Sequence, residues 1–102
     1  MRKAKAIPLP HPGLTLLEDF MQPLGLTQQQ VAGDIGVPPM RISQIVRGVR
    51  SITADTALRL ARYTGTSPQF WLNLQSAYDL RKAEAALAGR IEKEVRILAH
   101  AA

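Results

Sequence analysis

Gln44 lies four residues after Met40 and three before Arg47. On a helix at 3.6 residues per turn all three fall within roughly 60° of one another, while Ile42, Ile45 and Val46 take the opposite side. A carboxamide and a guanidinium on one exposed helical face can hydrogen-bond base edges or phosphate oxygens in a DNA major groove. Arg41 flanks this face with a side chain long enough to reach round to it, and Ser43 is counted with it. Pro39 and Met40 can offer only apolar contact, for instance to a thymine methyl. The chemistry implied is recognition, and its substrate is double-stranded DNA.

Charge points the same way. The 102-residue chain carries a formal net charge of +5. No acidic residue occurs between Asp34 and Asp55, while Arg41, Arg47 and Arg50 fall in that window. Arg47 and Arg50, at and just beyond the end of the helix, are the further candidates for phosphate contact. The C-terminal third instead alternates signs through Arg81, Lys82, Glu84, Arg90, Glu92, Lys93, Glu94 and Arg96. Positive potential is therefore concentrated where the polar helical face lies.

The elements that must position these side chains are legible from turn chemistry. Residues 1–13 hold Pro8, Pro10 and Pro12 and read as an extended arm. A first helix is predicted from about Leu14 to Pro23. Thr27 caps a second, its hydroxyl accepting a backbone N–H one turn on, and Gly36 ends it. Gln28, at its N-terminus, is placed to donate its amide to a phosphate. Pro38 and Pro39 open the third helix and Gly48 closes it. A fourth runs from about Thr53 to Tyr63 and a fifth from Ser67–Pro68 to Ala88. Gly89 makes the join to a last helical segment, Arg90 to Ala99, either a break or a tolerated cost. The short helix, glycine turn and second helix in TQQQVAGDIGVPPMRISQIVRG form a helix-turn-helix, with Val31, Ile35, Val37, Ile42 and Ile45 as its small core. The bland alternative is a helical hairpin with a solvated polar face.

The expected fold is all-α: a five-helix DNA-binding domain over residues 14–88, with a C-terminal helical extension over 89–102. One domain accounts for this length. The absence of an apolar run near 20 residues argues against a membrane span, and the basic start MRKAKAIPLP lacks the apolar segment of a signal peptide. With no cysteine there is no disulfide framework, and cytoplasmic residence is the expectation. His11 and His100 are far apart and have no cysteine partners, so neither metal nor cofactor is expected. His11 is read as capping or packing near the first helix. Without a glycine-rich phosphate loop, a nucleophile–base pair or paired carboxylates, no enzyme is expected.

The segment Thr27–Gly48 resembles the helix-turn-helix of XRE/Cro-type repressors, which implies a lambda-repressor-like domain. HPGLTLLEDF at 11–20 and SITADTALRLARYTGTSPQFWLNLQSAYDL at 51–80 narrow the resemblance to HigA-type antitoxins, also called virulence-associated protein I. It covers about Ile7 to Leu80. The resemblance implies a homodimer that represses its own operon at operator DNA and neutralises a HigB-type toxin, an mRNA endonuclease of the RelE-like fold. Carried onto this chain, its operator-facing positions are Gln28, Pro39, Met40, Arg41 and Gln44, with Arg47 near the backbone. The chain departs from the family where Pro38 replaces the Ser or Thr that caps the recognition helix, a loss worth about 1 kcal/mol. Alternatives are a stand-alone XRE-type repressor without a toxin, or a protein-interaction module that has lost its DNA role.

Three groups of residues remain. Phe70, Trp71, Leu74 and Tyr78 form an apolar stripe read as core or dimer contacts, with a dimer seam preferred. Arg2, Lys3 and Lys5 suit either a minor-groove arm or a frayed charged terminus. Ile91, Val95 and Leu98 recur at helical spacing and suit packing on the toxin, on the second subunit or on the chain's own core.

Overall fold

A proline costs a helix nothing in its first turn, where its missing N–H would be unpaired anyway. In the computed structural model, which describes residues 10–99, the first helix accordingly starts at Pro12, and the expectation that Pro12 and Gly13 belong to a non-helical arm is corrected. The His11 Nδ1 accepts the Gly13 N–H at 2.9 Å and serves as the cap. Residues 1–9, with Arg2, Lys3 and Lys5, lie outside the described residues, as does His100.

Helix α1 is one continuous run: Pro12–Thr15, a π-helical stretch Leu16–Met21, and Gln22–Leu24. The Gln22 N–H reaches back five residues to the Leu17 carbonyl. Widened turns of this kind accompany breaks in the regular ladder, and here Pro23 has no N–H for the carbonyl one turn earlier. Helices α2 (Gln28–Ile35), α3 (Pro39–Val46), α4 (Ala54–Thr64) and α5 (Pro68–Ala86) follow within a residue or two of expectation. Their starts are capped by side chains: the hydroxyls of Thr27, Thr53 and Ser67 accept from Gln30, Thr56 and Phe70. Helix α3 is the exception. Pro38 offers no side-chain acceptor, but Pro39 removes one donor and the Pro38 carbonyl takes the Arg41 N–H at 2.9 Å. Proline chemistry thus offsets part of the missing cap.

After α5 the chain turns at Gly89, whose φ of 80° only glycine adopts without strain. Helix α6 (Arg90–Glu94) is shorter than the predicted Arg90–Ala99, because Val95 is already extended at φ −108°, ψ 118°. The physical reason is exposure. Ile91, Val95 and Leu98 are 46, 57 and 77% exposed, so they do not pack on the chain's own core, and a short helix without packing is marginal. Among the described residues there is no strand, and no helix is long and apolar enough to cross a membrane.

The core gathers Leu16 and Met21 of α1, Val31, Ala32 and Ile35 of α2, Ile42 and Ile45 of α3, Ile52, Ala57, Leu60 and Ala61 around α4, and Trp71 of α5. The five helix-turn-helix residues expected to pack together, Val31, Ile35, Val37, Ile42 and Ile45, are all buried in it. One contact is closer than side chains allow. A Cβ on Gly13 would sit 1.7 Å from the Ile45 carbonyl oxygen and 2.6 Å from its carbon. The backbone of α1 therefore rests directly on the last turn of α3.

Candidate nucleic-acid interface

Burial of Ile42 and Ile45 fixes the rotation of α3 and turns its other side outward. Pro39, Met40 and Arg47 are exposed, and Arg41, Ser43 and Gln44 are half-buried at the edge of the same surface. At 62% exposure Met40 is a large apolar side chain presented to solvent, open to apolar contact such as a thymine methyl. At the start of α2, the Thr27 hydroxyl and carbonyl take the N–H groups of Gln30 and Val31. Those of Gln28 and Gln29 have no partner within a helix, so this end can receive an anion.

The turn after α3 folds back onto the helix. Gly48 N–H donates to the Ile45 carbonyl and Val49 N–H to the Gln44 carbonyl, both at 2.9 Å. That reversal carries Arg50 back over the preceding turn, where its Nε donates to Gln44 Oε1 at 2.7 Å. Arg50 is thus placed as a partner of Gln44 as well as a candidate phosphate contact. Arg41 is drawn the other way. Its guanidinium stands 3.7 Å from the Asp55 carboxylate, which also receives Arg59 Nε at 2.7 Å. Both pairs are largely solvated and contribute little stability, yet they set where the Arg41 charge rests.

Several side chains that hold this surface carry no local sequence signal. Gln75 is 5% exposed; its Oε1 accepts the Ile52 N–H at 2.7 Å and its Nε2 donates to Asp79 at 2.9 Å. It ties the segment leaving α3 to α5. Arg59 closes the end of α2 by donating to the Ile35 carbonyl at 2.8 Å, and the Tyr63 hydroxyl donates to Asp34 at 2.7 Å. Burial, reinforced by that bond and by the Asp34 charge, pushes the Tyr63 phenol up to about 12. No local pattern announces these bonds, which span 23 to 29 residues.

His11 has the packing role expected of it. Beyond capping α1, its ring meets the edge of Tyr78 at 5.0 Å and lies against Gly48. Burial pushes its imidazole below the usual histidine value, aided by Lys82 and opposed by Asp79 and a hydrogen bond with the Arg50 backbone. One imidazole therefore joins α1, the turn behind α3 and α5.

The apolar stripe on α5 divides. Trp71 is fully buried, packs on Phe20 and Phe70 and donates its indole N–H to Thr66 at 2.8 Å. It belongs to the chain's own core, and its placement in a dimer seam is corrected. Phe70 remains 38% exposed, with Leu74 and Tyr78 half-buried. Further along, Leu80 is 61% exposed, and Val95, Ile97 and Leu98 are exposed as well.

Comparison with known proteins agrees with this architecture. A helix-turn-helix family model matches residues 17–71. Virulence-associated protein I of Dichelobacter nodosus is 53% identical over 78 residues, covering 76% of this chain and 72% of that protein. An addiction module antidote protein of the HigA family from Coxiella burnetii superposes with a TM-score of 0.85 at 44% identity, covering 90% of this chain and all of that one. The Pseudomonas aeruginosa antitoxin HigA, solved with the higBA promoter, gives a TM-score of 0.85 at 41% identity over 89% of this chain and 99% of that one. The chain belongs to the helix-turn-helix family of HigA-type antitoxins.

Proposed function

We propose that this chain is the antitoxin of a two-gene toxin–antitoxin system. It binds operator DNA as a homodimer, represses its own transcription, and neutralises a HigB-type mRNA endonuclease toxin. The observation that carries the DNA half is the outward face of α3, which presents Met40, Ser43, Gln44 and Arg47 in a stretch free of acidic residues. A relative of the same fold was solved with promoter DNA. In this reading α3 enters the major groove. Gln44 meets a base edge, Arg41 joins it on release from its weak, solvated pair with Asp55, and Met40 and Pro39 meet thymine methyls. Arg47, Gln28 and the free N–H groups at the start of α2 meet phosphates.

Family membership supports the toxin half, and the exposed apolar residues of α5 and the segment after α6 support association with a second subunit. Co-expression tests the toxin half. A small basic protein encoded beside this gene should arrest growth alone, and this chain should relieve the arrest and co-purify with it. Relief without complex formation, or no relief, contradicts neutralisation. A matched test of the DNA half selects duplexes from a random pool with the purified protein. Failure to enrich any sequence contradicts operator recognition.

A further inference from the structure

A glutamine side chain reads a base by offering a carbonyl acceptor from one end of its amide and an NH2 donor from the other. On an open helical surface the amide can turn over, and each orientation offers a different pattern. Gln44 is not free in this way. Arg50 Nε donates to Gln44 Oε1 at 2.7 Å, and an arginine nitrogen can only donate, so the carbonyl end is the one held toward Arg50.

The hold is built from the backbone outward. Val49 N–H donates to the Gln44 carbonyl at 2.9 Å, and Gly48, at φ 76°, makes the reversal that returns the chain over α3. Gly48 also lies against the His11 ring, and two residues after Arg50 the Ile52 N–H is fixed by buried Gln75. The Arg50 backbone is therefore bracketed on both sides, which limits the directions from which its exposed side chain reaches Gln44. A charge-assisted bond at this distance is among the stronger side-chain hydrogen bonds.

We infer that Arg50 is a positioning residue for base readout: it locks the orientation of the Gln44 amide and so sets which base pair α3 prefers. This inference rests on the DNA-binding reading proposed above, and it separates Arg50 from Arg47, a plain phosphate contact. A phosphate contact weakens all sequences alike, whereas a positioning residue changes discrimination at one base pair.

The test starts from the duplex that the wild-type protein enriches from a random pool. Affinities for that duplex and for its single-base-pair variants are measured by fluorescence anisotropy at one salt concentration. Gln44→Ala identifies the base pair that Gln44 reads. Arg50→Met keeps the aliphatic stem and removes the donors; discrimination at that same base pair should fall about tenfold. In the Gln44→Ala background, Arg50→Met should cost no further discrimination. Uniform weakening on all duplexes, additive with Gln44→Ala, overturns the inference while leaving DNA binding intact. No enrichment by the wild-type protein contradicts the DNA reading itself. A readout without DNA is available from NMR: the Gln44 side-chain NH2 resonances should move toward their free-peptide positions in folded Arg50→Met. Unchanged resonances also overturn the inference.

Discussion

Two glycines in helices face opposite consequences on gaining a methyl group. Gly33, mid-way along α2, is exposed, and a Cβ built there meets nothing within 4 Å. Gly33→Ala therefore gains helix propensity and loses unfolded-state entropy, a stabilisation of about 0.5–1 kcal/mol. Gly13, in the first turn of α1, takes no positive φ, so propensity alone would favour alanine there too. Its Cβ would meet the Ile45 carbonyl oxygen at 1.7 Å, and α1 would have to retreat by at least about 1.3 Å to restore 3.0 Å. The obstacle is backbone held in the core by Ile42 and Ile45, so no side-chain rotation relieves it. Overpacking of this kind costs about 1–3 kcal/mol, and against rigid backbone the upper end applies. For a domain of this size each kcal/mol shifts Tm by roughly 4–8 °C. Thermal melts followed by circular dichroism, at a fixed protomer concentration because association shifts apparent stability, should show Gly13→Ala lower by more than about 10 °C and Gly33→Ala higher than wild type. A Gly13→Ala protein as stable as wild type would refute the direct contact of α1 with the end of α3.

How much of this was legible beforehand follows from the range of each interaction. Thr27, Thr53 and Ser67 each cap through a bond three residues long, so the helices they start were readable from local chemistry. The outward face of α3 was readable too, because Ile42 and Ile45 can be buried only if Met40, Gln44 and Arg47 point away. Pro12 misled, since a proline that ends an arm and one that starts a helix look alike until His11 is seen to cap it. Trp71 shared the spacing of a surface stripe, and only the packing of Phe20 from a distant helix decides that it is core. The pairing of Gln44 with Arg50 needed the path of the turn after Gly48. The end of α6 at Glu94 depends on a packing surface that the described residues do not supply.

The remaining predictions concern the residues that hold the interface. Gln75→Ala leaves the buried Ile52 N–H without its acceptor, and urea unfolding should show a loss of about 2 kcal/mol; wild-type stability would contradict that role. The His11 imidazole titrates below 6.5 in the folded chain, so below that pH the unfolded state binds more protons. Stability from this group is present above pH 6.5 and is lost as pH falls through the lowered folded value. His11→Asn keeps a capping oxygen without titrating, and it should flatten that part of the pH–stability profile; an unchanged profile would assign the dependence elsewhere. Arg47→Ala, which removes one phosphate contact from each protomer of the dimer, should weaken matched and random duplexes equally and reduce the salt slope by about two, and a change confined to matched duplexes would move Arg47 from phosphate to base.

In the proposed function, the face of α3 in this chain reads operator DNA from a dimer. Its most direct measurement is affinity for the enriched duplex and for a random duplex across a salt series. A dimer neutralising roughly eight phosphates should give a log–log slope near −7, with the enriched duplex bound at least about a thousandfold more tightly than the random one. A flat salt response, or equal affinity for both duplexes, contradicts operator reading by α3.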